Sequence, residues 1–121
     1  MSILLWIGVA LIGGAGATAR FLLDGVIMRR SASGLPIGTY VVNITGALLL
    51  GFVAGLALPT DGALLGGTAA IGSYTTFSTW MLETHRLGEE RQVVGAAANV
   101  IFSVVAGVAA AALGKLAGVA L

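Results

Sequence analysis

The chain has 121 residues, 58% of them hydrophobic and 9% charged, with a formal net charge of +1. Soluble domains carry roughly a quarter charged residues, so this composition and a mean hydropathy of +1.04 identify an integral membrane protein. The length accommodates four spans of about 20 residues and leaves no room for a soluble domain. No basic run suits a nucleic-acid partner, and the absence of cysteine excludes disulfides and thiolate metal sites.

The first helix is predicted from about Ile3 to Met28. Ala15-Gly16-Ala17 has the small residues of a signal-peptidase site, but residues 1–19 hold no Lys or Arg for an n-region, so the segment reads as a retained span. Glycines in Gly13-Gly14-Ala15-Gly16-Ala17 allow close approach of another helix. Arg20 lies near the far end, where it either snorkels to the interface or serves a structural role at a subunit contact. Asp24, one turn on, is placed to pair with it. Arg29 to Gly34 forms a short polar connection.

The second helix opens at Pro36, which suits a first turn, and runs to about Leu58. Thr39 and Asn43 share a face. An amide deep in a span is costly unless hydrogen-bonded, and the apolar run around Asn43 does not explain it. An interhelical hydrogen bond is the plain alternative. Gly46, Gly51 and Gly55 add packing surface. Pro59-Thr60-Asp61-Gly62 makes a tight turn, with Thr60 or Asp61 as a cap for the next helix.

The third helix is predicted from about Gly62 to His85, interrupted by Gly72-Ser73-Tyr74-Thr75-Thr76-Phe77-Ser78-Thr79-Trp80. This hydroxyl-rich run gives neither an apolar stripe nor a turn. Non-helical backbone at membrane depth survives only where protein buries it or a cavity wets it, and broken helices build ion sites. Glu83, His85 and Arg86 mark the return to water, and Glu89-Glu90-Arg91 is a solvated connection. The fourth helix runs from about Val93 to Val119. Asn99, Ser103 and Gly107 recur every four residues as a small-polar stripe, where a serine readily bonds its own i−4 carbonyl. Lys115 snorkels outwards. Arg29, Arg30, Arg86 and Arg91 fall on one side of the membrane, so both termini are expected to face out.

The intramembrane polar groups are all neutral: Thr39, Asn43, Ser73, Tyr74, Thr75, Thr76, Ser78, Thr79, Asn99 and Ser103. With no Ser-His-Asp set, acid pair or metal cluster, an enzyme is not expected. An aromatic ring is positive at its rim, so Phe77 and Trp80 edges, with amide and hydroxyl donors, suit a small anion. Donors without full charge bind weakly enough to let an ion leave. Carbonyls freed at a broken helix suit a small cation.

These residues resemble the small fluoride channels of the CrcB/Fluc family across essentially the whole chain. The resemblance is carried by Gly13 to Arg20, by Pro36-Ile37-Gly38-Thr39-Tyr40-Val41-Val42-Asn43, and by Thr75-Thr76-Phe77-Ser78-Thr79 with Glu83 downstream. It implies an antiparallel dimer of all-α, four-helix membrane subunits, the third helix broken at the midplane, with two pores along the interface. The pore residues would be Asn43, Phe77, Thr39, Thr79 and, on a looser alignment, Ser103. A structural Na+ would be held by backbone carbonyls of Gly72 and Thr75.

Two departures stand out. Trp80 occupies the place of the family's second phenylalanine, and Ser73 that of a common glycine. The arginine asymmetry exceeds what a subunit inserted both ways needs. The partner is therefore either a second copy or an oppositely oriented paralogue. The expected function is passive export of toxic fluoride across a prokaryotic plasma (inner) membrane. Two other readings remain: a small multidrug exchanger, which wants an acid absent from Ile3 to Leu23, and a non-conducting structural subunit.

Overall fold

A computed structural model describes residues 2–31 and 35–121. The elements are α1 (Ile3–Arg30), α2 (Ile37–Leu56), α3 (Thr60–Ala63), a π-helical stretch π1 (Leu64–Ile71), α4 (Gly72–Tyr74), α5 (Ser78–Glu89) and α6 (Val93–Val119). Of the predicted polar connection, Ala32, Ser33 and Gly34 lie outside the described residues. Among the described residues, three helices, α1, α2 and α6, are long and apolar enough to cross a membrane.

Local chemistry sets the ends. Ser2 caps α1, its hydroxyl accepting from the Leu5 amide at 3.2 Å. Arg29 and Arg30 sit in the last turn of α1, where cations complement the helix dipole. Pro36 is the N-cap of α2, and its carbonyl accepts from the Tyr40 amide at 3.2 Å. α2 ends on Ala57, left-handed at φ 51°. The expected cap by Thr60 or Asp61 is not found. Thr60 is already helical and Pro59 is the N-cap, without a side-chain bond. A proline has no amide of its own to satisfy and leads directly into a helix.

At the other end of the third segment, helix continues past His85 to Glu89. Glu89 is therefore helical rather than part of a loop, and it pairs with His85 at 2.8 Å. The chain then reverses through Arg91 at φ 61°, and the Gln92 amide bonds the Leu87 carbonyl at 2.8 Å.

The most extensive packing joins α2 to α6. Ile44 lies by Gly107, Gly51 by Ala111 and Gly55 by Gly118, so the two helices run side by side in the same direction. α1 likewise runs with π1, Gly8 meeting Leu65 and Gly16 meeting Ala70. Glycine is required at Gly51 and Gly114, where a Cβ would collide with the backbone of the facing helix. α1 buries no residue within the chain, and Val42 is the one large side chain buried fully among the described residues. Such apolar exposure is what lipid or a second subunit covers.

Candidate functional site

The segment between α4 and α5 leaves helix at Thr75, whose ψ is 162°. Thr76 and Phe77 follow without regular structure, and two of the freed amides go to side-chain acceptors. The Thr75 amide still reaches Ile71 O at 3.0 Å. The Thr76 amide donates to Asn43 Oδ1 at 2.8 Å, and Asn43 Nδ2 donates to Thr76 O at 2.8 Å. One primary amide thus pairs with both the N–H and the C=O of a single residue, Thr76. The Thr79 amide turns to Thr76 Oγ1 at 3.2 Å. A buried break whose polar groups were unpaired would cost about 1–3 kcal/mol for each group, and Asn43 supplies the partners.

The same bonds expose two carbonyls. In a continuous helix the Thr76 amide would close on Gly72 O and the Thr79 amide on Thr75 O. Both amides are diverted, to Asn43 Oδ1 and Thr76 Oγ1. Gly72 and Thr75 also line one side of an open groove of about 440 Å³, together with Thr68 and Ile71. Two carbonyl oxygens stripped of their helical donors are hard-oxygen ligands of the kind a small cation takes.

Asn43 also faces a second groove of about 280 Å³, with Trp80, Ser103, Val104, Gly107 and Val108. Ser103 is 9% exposed, and its Oγ is buried without a hydrogen-bond partner. The expected bond from a stripe serine to its own i−4 carbonyl is absent there. The carbonyl in question, Asn99 O, instead accepts Trp80 Nε1–H at 3.2 Å. The Trp80 ring therefore offers the groove carbon-bound hydrogen rather than its N–H. Phe77 meets Trp80 edge to face, with centroids 5.7 Å apart and planes at 76°, and is 70% exposed.

The two predicted threonines lie elsewhere. Thr39 and Thr79 line a narrow cleft with Arg20, Asp24, Val42 and Thr76. Thr39 is buried, and its hydroxyl donates to a Glu83 carboxylate oxygen. Glu83 is thus half-buried against α2 rather than released to water. Arg20 and Asp24 form no ion pair, and Arg20 Nε is buried without a partner. Asn43 joins the two places, lining the groove while it holds Thr76 in the cleft wall.

Of the predicted pore residues, then, Asn43, Trp80 and Ser103 converge in one groove, Thr39 and Thr79 in the adjoining cleft, and Phe77 at the exposed rim. The partners Thr76, Thr84 and Asn99 were not singled out as site residues from the sequence. The hydroxyl-rich run was the signal for Thr76 and the stripe on the fourth helix that for Asn99, and Thr84 had none. No group of three metal-ligating side chains occurs among the described residues. What the groove offers chemically is a set of neutral donors, an aromatic edge and an apolar wall.

Comparison with known proteins agrees in one direction. Residues 7–115 match the family described as CrcB-like protein, Camphor Resistance (CrcB). The chain is 63% identical over 115 residues to the fluoride-specific ion channel FluC 2 of Mycobacterium tuberculosis (strain ATCC 25618 / H37Rv), covering 95% of this chain and 91% of that one. It is 45% identical over 96 residues to fluoride-specific ion channel FluC 1 of Leifsonia xyli subsp. xyli, covering 76% and 70%. With fluoride-specific ion channel FluC of Syntrophotalea carbinolica it shares 40% over 111 residues, covering 88% and 90%.

Proposed function

The chain belongs to the CrcB-like family, and from that premise we propose that it is a passive fluoride-selective channel through which toxic fluoride leaves a prokaryotic cytoplasm. The observation that carries this reading is the meeting of Asn43, Trp80 and the unpartnered Ser103 hydroxyl in one groove. Fluoride is small and strongly hydrated, so its passage needs hydrogen-bond donors in place of water. Neutral donors supply them without trapping the ion. Asn43 has two amide hydrogens and uses one on Thr76, which leaves one for the anion. Thr39 and Thr79 would continue the path through the adjoining cleft, and Phe77 would present its edge to the ion from the exposed rim. No residue is catalytic.

Four crossings build this channel, with Thr60–Tyr74 and Ser78–Glu89 forming the third around its midplane break. The alternation of direction supports that count: α1 and π1 run one way, α2 and α6 the other. The unburied face of α1 and the groove beside Gly72 suit an antiparallel dimer in the plasma (inner) membrane, with two pores. A structural Na+ fits the diverted carbonyls of Gly72 and Thr75. Bound there, it would supply the positive charge that holds two breaks together at the interface. The partner is a second copy or an oppositely oriented paralogue. The arginine bias and Trp80 favour the paralogue, as does the number 2 in the name of the mycobacterial relative.

The test is growth. A bacterium stripped of its own fluoride export should regain growth on fluoride when this chain is expressed, alone or with its paralogue. Continued sensitivity in both cases, with the protein present in the membrane, would return the chain to the structural-subunit reading. A reporter fused to the C-terminus should signal from one side of the membrane only, and equal signals from both sides would contradict a fixed orientation.

A further inference from the structure

Trp80 is tied to α6 and back to itself by a closed ring of hydrogen bonds. Trp80 Nε1 donates to Asn99 O at 3.2 Å, Asn99 Nδ2 donates to Thr84 Oγ1 at 2.7 Å, and Thr84 Oγ1 donates to Trp80 O at 2.8 Å. Thr84 has one hydroxyl proton, so its orientation is fully determined: it gives to Trp80 O and receives from Asn99. Every member is at least partly buried, where a satisfied network holds a side chain more firmly than its separate bonds would.

The ring touches two grooves. One, of about 140 Å³ on the α2–α6 seam, is lined by Tyr40, Gly95, Asn99 and Phe102 among others. The other is the groove of about 280 Å³ with Asn43, Trp80 and Ser103. Asn99 lines the first and Trp80 the second, and the indole N–H bond links the two residues. A side chain as bulky as indole, standing free at that point, would swing between rotamers and vary the opening. Its N–H bond to a main-chain carbonyl of α6 fixes one position for it.

We infer that Thr84 and Asn99 are positioning residues that lock the Trp80 indole as a fixed wall of the groove it shares with Asn43 and Ser103, its N–H withdrawn from the anion and its carbon edge presented instead. The inference rests on the fluoride-channel reading and extends it to residues outside the groove. Throughput at Trp80 is then set by Thr84 and Asn99, which touch no ion. The lock also explains how a ring bulkier than phenylalanine is accommodated, because its extra N–H is spent on α6.

The chain holds two tryptophans, so a Trp6→Phe parent reports on Trp80 alone. In this parent, Thr84→Val removes the hydroxyl without changing shape, Thr84→Ser restores it, and Asn99→Ala removes the donor to Thr84 while leaving the main-chain acceptor. The ultraviolet resonance Raman band sensitive to indole N–H bonding and the fluoride efflux from liposomes are read together. Thr84→Val and Asn99→Ala should weaken the N–H signature and slow efflux roughly tenfold, the shift that losing about one net hydrogen bond produces. Thr84→Ser should return both to the parent. An unchanged band in Thr84→Val, with or without slower efflux, overturns the lock. A changed band with parental efflux overturns its role in transport. A parent that passes no fluoride, alone or with a paralogue, sinks the fluoride reading and the transport role with it, while the band still decides the lock.

Discussion

The α2–α6 seam is sealed at one end and parted at the other. At Gly51, Gly55, Gly114 and Gly118 an added Cβ would collide with main-chain atoms of the facing helix. At Gly107, on the same stripe of α6, it would meet only Ile44 Cδ1, at 3.8 Å, an ordinary contact. Here the helices leave room for Asn43, Ser103 and the Trp80 ring. Small residues therefore do two opposite things along one seam. They bring backbones together where the facing main chain comes close, and leave space where the facing helix presents a side chain. Small-residue spacing alone does not say which.

Substitutions separate the two ends, and the largest effect belongs to the sealed one. Gly114→Ala should destabilise the protein in detergent by about 3 kcal/mol, because the methyl group forces apart two backbones that have no flexible group to yield. A melting temperature equal to the parent's would mean that the seam is looser than described.

Next comes Asn43→Asp. A carboxylate keeps an acceptor for the Thr76 amide but faces Thr76 O with a second acceptor, so one of the two bonds becomes a repulsion. A loss of about 2 kcal/mol is expected, together with loss of fluoride transport, since the groove gains a negative charge. Stability and transport fall together here because one residue serves both.

At Ser103 they should part. Its Oγ is buried and unpartnered, so Ser103→Ala removes an unsatisfied group and should leave stability unchanged or raise it by up to about 1 kcal/mol. Fluoride efflux should nevertheless slow, because a donor is gone from the groove. A variant that is less stable yet transports normally would make Ser103 a packing residue. The smallest effect is expected at Gly107→Ala, within about 0.5 kcal/mol of the parent. Set beside Gly114→Ala in the same melting experiment, it measures the contrast between the two ends directly.

Much of this arrangement was legible in the sequence, and the illegible part has a common cause. Hydropathy marks α1, α2 and α6, whose apolar runs are continuous. The hydroxyl-rich run marks the place where helix stops, because residues that compete with the backbone for hydrogen bonds cluster there. Asn43 was conspicuous for lacking a local partner. That partner is the Thr76 main chain, 33 residues away, and a backbone partner leaves no trace in residue identity.

Glu83 misled for the opposite reason. A carboxylate beside His85 and Arg86 reads as solvated, but Thr39, 44 residues distant, draws it inward. Arg20 and Asp24 have the spacing of a helical ion pair and do not form one; the Asp24 carboxylate lies instead against Gly38 of α2. The π-helical stretch from Leu64 to Ile71 had no counterpart in the pattern, since Leu, Gly and Ala are compatible with either helix.

The central claim is that neutral donors around Asn43 pass fluoride and refuse other anions. Efflux from liposomes bearing this chain, alone or with an oppositely oriented paralogue, tests it most directly with fluoride and chloride followed in parallel. Rapid fluoride efflux without chloride efflux, lost in Asn43→Asp, is the predicted result. Equal passage of chloride, undiminished fluoride efflux in Asn43→Asp, or no fluoride efflux from either assembly would contradict it.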